Sequence, residues 1–176
     1  MAMTPDELKA LVRSIPDFPE PGVLFRDITP LLHDAPAFGA ALDALADYVA
    51  SKAPDAIVGI ESRGFLVGTP LAVRLNLPFV PVRKPGKLPA ARMSVEYSLE
   101  YGSGQLDIHA DALTPGQSAV IVDDLLATGG TAAGAAKVVE LLGARVAGVA
   151  FLIELQGLNG RGRLQGYDVF SLLQYD

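Results

Sequence analysis

The sequence predicts an α/β protein with a doubly wound, mainly parallel sheet, and three observations carry that expectation. Short apolar runs at 56–60, 79–82, 119–122 and 146–152 have the length and aliphatic content of buried strands. Stretches with apolar residues at helical spacing fall between several of them. Parallel neighbours need crossover connections, and this alternation supplies them.

The elements follow in chain order. Thr4-Pro5-Asp6-Glu7 has the form of a capping box with proline at the first helical position, and Leu8, Leu11, Val12 and Ile15 continue at helical spacing, which predicts a first helix. The segment 16–30 is rich in proline and glycine and reads as irregular. Phe38, Leu42, Leu45 and Val49 mark a second amphipathic helix. A strand at 56–60 leads through Ser62-Arg63-Gly64 into a helix over 65–75, and a strand at 79–82 follows. Pro85, Gly86 and Pro89 make 82–94 irregular, and loops of that length in compact domains are commonly lids. Segments 96–101 and 105–108, joined through Gly102-Ser103-Gly104, read as a hairpin extending that lid. The strand at 119–122, a helix over 132–142 stopped by Gly143, and the strand at 146–152 complete the core. No internal repeat or low-complexity tract interrupts the pattern.

The run AVIVDDLLATGGT at 119–131 is the most informative stretch. Gly129 and Gly130 let a turn curl its N–H groups around an anion, Thr128 and Thr131 add hydroxyls, and the following helix points its positive end at the same place. Asp123 and Asp124 would repel a phosphate, so they suit a neutral hydrogen-bond donor beside it, such as a ribose diol. Taken piecewise, the acidic pair reads as a magnesium site and the glycine turn as an ordinary one; taken as one run of thirteen residues, the stretch reads as a functional site. A Walker-type loop is disfavoured by the missing lysine of G-x-x-x-x-G-K-[ST]. Arg83, Lys84, Lys87 and Arg92 concentrate four cations in an otherwise acidic chain; by themselves they read as a solvated loop.

Composition excludes several classes. The chain has 176 residues, half of them hydrophobic and 19% charged, which suits one globular domain. It has no cysteine, so disulfides and thiolate metal sites are excluded. A net charge of −6 argues against a general nucleic-acid or anionic-membrane binder. With no signal peptide or long apolar span, a cytoplasmic protein is expected. His33 and His109 are too isolated to serve as metal ligands.

The run VIVDDLLATGGT resembles the phosphoribosyl-pyrophosphate signature of the type I phosphoribosyltransferases. PGVLFRDITP at 21–30, ESRGF at 61–65, RKPGKLP at 83–89 and SLEYGSG at 98–104 are similar to the adenine-using branch of that family, and the likeness extends to the closing FSLLQYD. The resemblance implies a single domain over 1–176, with a small hood at about 1–32 and a β-hairpin lid at about 83–108. It implies transfer of a 5-phosphoribosyl group from phosphoribosyl pyrophosphate to adenine, giving AMP and pyrophosphate in purine salvage. By the same resemblance, Ala127, Thr128, Gly129, Gly130 and Thr131 take the 5′-phosphate, and Asp123 and Asp124 the ribose. Ser62, Arg63, Gly64, Arg83, Lys84 and Lys87 take pyrophosphate, with Arg92 a weaker candidate. Phe25 stacks on the purine while main-chain groups of Leu24 and Arg26 read its edge. Glu100 is the acid/base residue and Tyr101 a neighbour of the same pocket. Magnesium is carried by the substrate rather than held by protein side chains, and a homodimer is expected.

Two other functions fit parts of the pattern. A transferase for another base would keep 119–131 but need a different purine pocket, against which PGVLFRD and SLEYG stand. A non-catalytic sensor of the sugar phosphate would have no use for a lid carrying Glu100.

Overall fold

Short-range signals set the start of each unit, and long-range strand pairing decides the rest. The computed structural model describes residues 3–98 and 102–176. Two compact units divide the chain, Met1–Ala44 and Leu45–Asp176.

In the N-terminal unit, Thr4 and Glu7 form the expected capping box, the Thr4 N–H donating to the Glu7 carboxylate at 2.7 Å, and open α1 (Pro5–Lys9). The helix is shorter than its apolar spacing predicts. Ile15 lies instead in β1 (Arg13–Pro16), which pairs antiparallel with β2 (Leu24–Asp27) and sets Ile15 opposite Phe25. A partner ten residues away in the chain, reinforced by the Arg13–Asp27 ion pair at 2.7 Å, overrides local helical spacing. The segment 16–30 is therefore not wholly irregular: it contains β2 and the start of α2 (Thr29–His33), whose Thr29 donates its N–H and hydroxyl to Asp27. The second amphipathic helix is α3 (Ala35–Ser51), with Leu42, Leu45 and Val49 buried and Phe38 partly so.

The C-terminal unit holds β3 (Ala56–Ile60), α4 (Arg63–Leu75), β4 (Phe79–Val82), β5 (Arg92–Ser98), β6 (Ser103–His109), β7 (Ser118–Leu126), α5 (Gly130–Leu141), β8 (Arg145–Leu155) and β9 (Val169–Tyr175). Five strands form one sheet in the order β4-β3-β7-β8-β9, every neighbouring pair parallel. All five residues of β3 and the first five of β7 are buried, as strands covered on both faces require. Ile60, Ile121 and Phe151 are at most 1% exposed, and each such side chain contributes about 1.5–3 kcal/mol by burial.

Three features depart from the sequence expectation. β9 was not anticipated as a strand; it joins β8 through two 3-10 turns, Gln156–Leu158 and Gly160–Leu164, rather than through a helix. β7 runs on to Leu126, so Asp123 and Asp124 lie within the strand rather than beyond its end. The irregular stretch ends at Arg92, where β5 begins; β5 and β6 form the lid hairpin, pairing from Arg92 opposite His109 to Ser98 opposite Ser103.

The sheet order locates the site. From β3 the chain runs outward to β4, then returns to place β7 on the other side of β3 and continues outward to β8 and β9. The crevice at the carboxyl ends of β3 and β7, where the direction of winding reverses, is where such sheets bind ligands.

Candidate active site

The segment leaving β3 enters α4 through Glu61, Ser62 and Arg63, with a cis peptide bond between Glu61 and Ser62. Gly64 is required by close approach: a Cβ there would lie 2.7 Å from an Asp123 carboxylate oxygen. The first turn of α4 is thereby laid directly against β7.

At the end of β7 the chain passes through Ala127 and Thr128 into Gly129, which has φ +81° and precedes α5. No side chain among the described residues caps this helix. The turn thus meets the positive end of α5, whose first N–H groups have no acceptor within the helix. Ala127 to Thr131 line a cleft of about 730 Å³ together with Asp123, Asp124, Ser62, Arg63 and Lys84.

The charges are arranged in pairs. Arg63 Nε lies 2.7 Å from Asp124 Oδ2. The Asp124 N–H donates to Asp123 Oδ1 at 2.9 Å. Burial pushes the Asp123 carboxyl well above the ordinary aspartate range, and the charge of Asp124 adds to the effect. Asp124 is raised too, by burial, with the Arg63 guanidinium opposing. Arg83 is held against Glu61 by two hydrogen bonds of 3.2 Å and reaches the Lys87 carbonyl at 3.2 Å. Glu61 also accepts the Lys84 N–H at 3.0 Å. Burial opposes ionisation of Glu61, but the Lys84 N–H and Arg83 guanidinium hold its carboxyl below the usual range.

Among the described residues, Lys84 is the cation of the 83–92 segment that lines the cleft; Arg83 and Lys87 do not line it, and are joined by the bond from Arg83 Nη1 to the Lys87 carbonyl. Arg92 points elsewhere and lies 3.2 Å from the fully buried Asp107. Leu24, Phe25 and Arg26 form part of β2 in the N-terminal unit, where Phe18 meets Phe25 edge-to-face at 5.1 Å. Glu100 and Tyr101 lie outside the described residues. No group of three or more His, Cys, Asp or Glu side chains among the described residues could hold a metal ion.

With this geometry in hand, the relatives of the chain are decisive. The phosphoribosyl transferase domain family matches residues 31–174. An adenine phosphoribosyltransferase of Synechococcus sp. is 57% identical over 170 residues, spanning 97% of this chain and 99% of its own. The chain belongs to the adenine phosphoribosyltransferase family. Solved family structures superpose closely on it. The enzyme of Thermoanaerobacter pseudethanolicus, 54% identical, has a TM-score of 0.95 over 98% of this chain and 100% of its own. The Saccharomyces cerevisiae enzyme, complexed with adenine and D-2,5-dideoxy-2,5-imino-altritol 1,6-bisphosphate, is 41% identical with a TM-score of 0.91 over 96% and 98%. The mainly parallel sheet and flanking helices are the family fold.

Glu61, Tyr97 and Gln105 also line the cleft and were not singled out from sequence. Glu61 had a usable signal, since it directly precedes the Ser62 turn; Tyr97 and Gln105 reach the cleft only through the hairpin register that sets Tyr97 opposite Gly104.

The raised carboxyls have a consequence for stability. An aspartate whose folded pKa lies above its ordinary value near 3.8 contributes fully while protonated, and that contribution is lost as pH rises through the folded value. Asp123→Asn keeps an oxygen for the Asp124 N–H and removes the charge. The ligand-free variant should therefore melt above the parent at pH 7, by about 2–4 °C for each kcal/mol of relief, and the gap should close near pH 4. Calorimetry at both values checks this, and a variant that melts lower at pH 7 contradicts it.

Proposed function

We propose that this chain transfers the 5-phosphoribosyl group of phosphoribosyl pyrophosphate to adenine, releasing AMP and pyrophosphate in purine salvage. One observation carries the proposal: an uncapped, glycine-opened helix start and the Asp123–Asp124–Arg63 cluster converge in one cleft at the winding reversal of the sheet.

In this account the N–H groups and hydroxyls of 127–131 take the 5′-phosphate, and Asp123 and Asp124 accept hydrogen bonds from the ribose hydroxyls. Diol donors offset the burial that now penalises these carboxylates. Arg63, with main-chain groups of Ser62 and Gly64, turns to the pyrophosphate, a polyanionic competitor for its present partner Asp124. Lys84 adds a cation from the cleft wall, with Arg83 and Lys87 behind it. When carried by the substrate, magnesium would supply charge neutralisation for the leaving pyrophosphate. A ring nitrogen of adenine attacks ribose C1, the bond from C1 to the pyrophosphate oxygen breaks, and Glu100 accepts the imidazole proton.

Phe25 provides a stacking face worth on the order of 1–3 kcal/mol. β2 pairs with β1, and in this account its main chain reads the base. A carbonyl from Leu24 or Arg26 facing the 6-amino group accepts from adenine and repels the 6-oxygen of hypoxanthine or guanine.

A homodimer in the cytoplasm completes the proposal. No described helix is long and apolar enough to cross a membrane. Leu66 and Val73, two turns apart on α4, are 48% and 79% exposed and offer an apolar stripe to a second copy. Sedimentation should give about twice the 18.4 kDa chain mass; a single-chain mass at micromolar protein contradicts the dimer. For the activity, the protein is supplied with phosphoribosyl pyrophosphate, magnesium and adenine, hypoxanthine, guanine or xanthine in turn. Adenine should be preferred at least about 100-fold, and preference for another base overturns the assignment.

A further inference from the structure

We propose that Arg163 is a positioning residue for the transfer, latching the lid strand β5 to the phosphate loop. Its Nη1 donates to the Ser98 carbonyl at 2.7 Å. That carbonyl sits at the mouth of α5: a Cβ on Gly130 would lie 2.8 Å from it and 3.1 Å from Arg163 Nη1. Three segments far apart in sequence thus meet at one carbonyl oxygen, and the guanidinium occupies the junction. Arg163 does not line the main cleft but shares a smaller pocket with Thr128 of the phosphate loop, and in this proposal it acts through Ser98 rather than on substrate.

The turn that carries Arg163 is itself anchored. Arg161 grips the buried Glu154 with Nε and Nη2, each at 2.8 Å, and donates to the Val169 carbonyl at 2.9 Å. Gly160 packs against the Ala127 carbonyl with no room for a side chain between them. The Gly160–Leu164 turn therefore bears on the phosphate loop at one point and on the lid at another. A charged donor strengthens such a contact relative to a neutral one. Ser98 closes β5 and precedes Glu100 by two positions in the sequence, so holding its carbonyl fixes the end of the strand that leads to the acid/base residue. That last step rests on the transferase assignment above; the latch between Arg163 and β5 does not.

Two variants of the full chain, Arg163→Ala and Arg163→Lys, test the proposal. In the alanine variant, kcat for AMP formation should fall about tenfold, the loss of one charged hydrogen bond, with KM for phosphoribosyl pyrophosphate and Kd for ribose 5-phosphate changed by less than about twofold. Lysine can still donate to the Ser98 carbonyl and should restore part of kcat. Hydrogen–deuterium exchange of amides 92–98 should accelerate in the alanine variant, with exchange of β3, β7 and β8 unchanged. This readout needs no turnover, so a parent protein that makes no AMP refutes the transferase assignment and leaves the latch to be judged by exchange. Unchanged exchange at 92–98 overturns the latch. So does a parallel loss of ribose 5-phosphate affinity, which would make Arg163 a phosphate contact, or acceleration throughout the sheet, which would make it merely structural.

Discussion

Gly129→Ala is expected to raise KM for phosphoribosyl pyrophosphate and Kd for ribose 5-phosphate by at least about tenfold. Gly129 has φ +81°, a conformation that costs an ordinary residue roughly 1–2 kcal/mol. The new Cβ would also drive into the carbonyl of Gly160, which is backbone and anchored by its own neighbours. The loop must open, and the N–H groups at the start of α5 then no longer converge on one phosphate. Gly116→Ala is the control: φ is +89°, but nothing lies within 4 Å of the added carbon. Both variants should lose thermal stability, and only Gly129→Ala should lose affinity. Equal affinity in the two would refute the cradle.

Glu100→Gln should lower kcat by about 10²- to 10⁴-fold, the usual worth of positioned proton transfer, with ribose 5-phosphate binding unchanged. The amide is nearly isosteric but cannot take the imidazole proton as the ring nitrogen bonds to C1. Single-turnover measurement separates the chemical step from product release. A variant that keeps the parental rate of that step removes Glu100 from the mechanism without touching the rest of the site.

Much of this was legible in the sequence because it is contiguous. The cradle, the carboxylate pair and the Ser62 turn each fall within a few residues, and the buried runs of β3 and β7 announce the strands that carry them. What was missed depends on partners distant in the chain. Ile15 is helical by spacing and extended by its pairing with Phe25. β9 is not preceded by a crossover helix of the kind that leads into β4 and β8, although Val169 to Leu173 is apolar enough to have been a candidate. The cations of 83–92 look alike in sequence, but Glu61 captures Arg83 and Asp107 captures Arg92. The Arg161–Glu154 anchor and the Arg163 contact with Ser98 leave no local trace at all.

The central claim is that the cleft passes a phosphoribosyl group to adenine rather than merely holding a sugar phosphate. Following pyrophosphate and AMP together in one reaction, with and without adenine, tests it most directly. The account predicts that the two appear in equal amounts and only when adenine is present; pyrophosphate released at the same rate without adenine, or no AMP with it, would contradict the account.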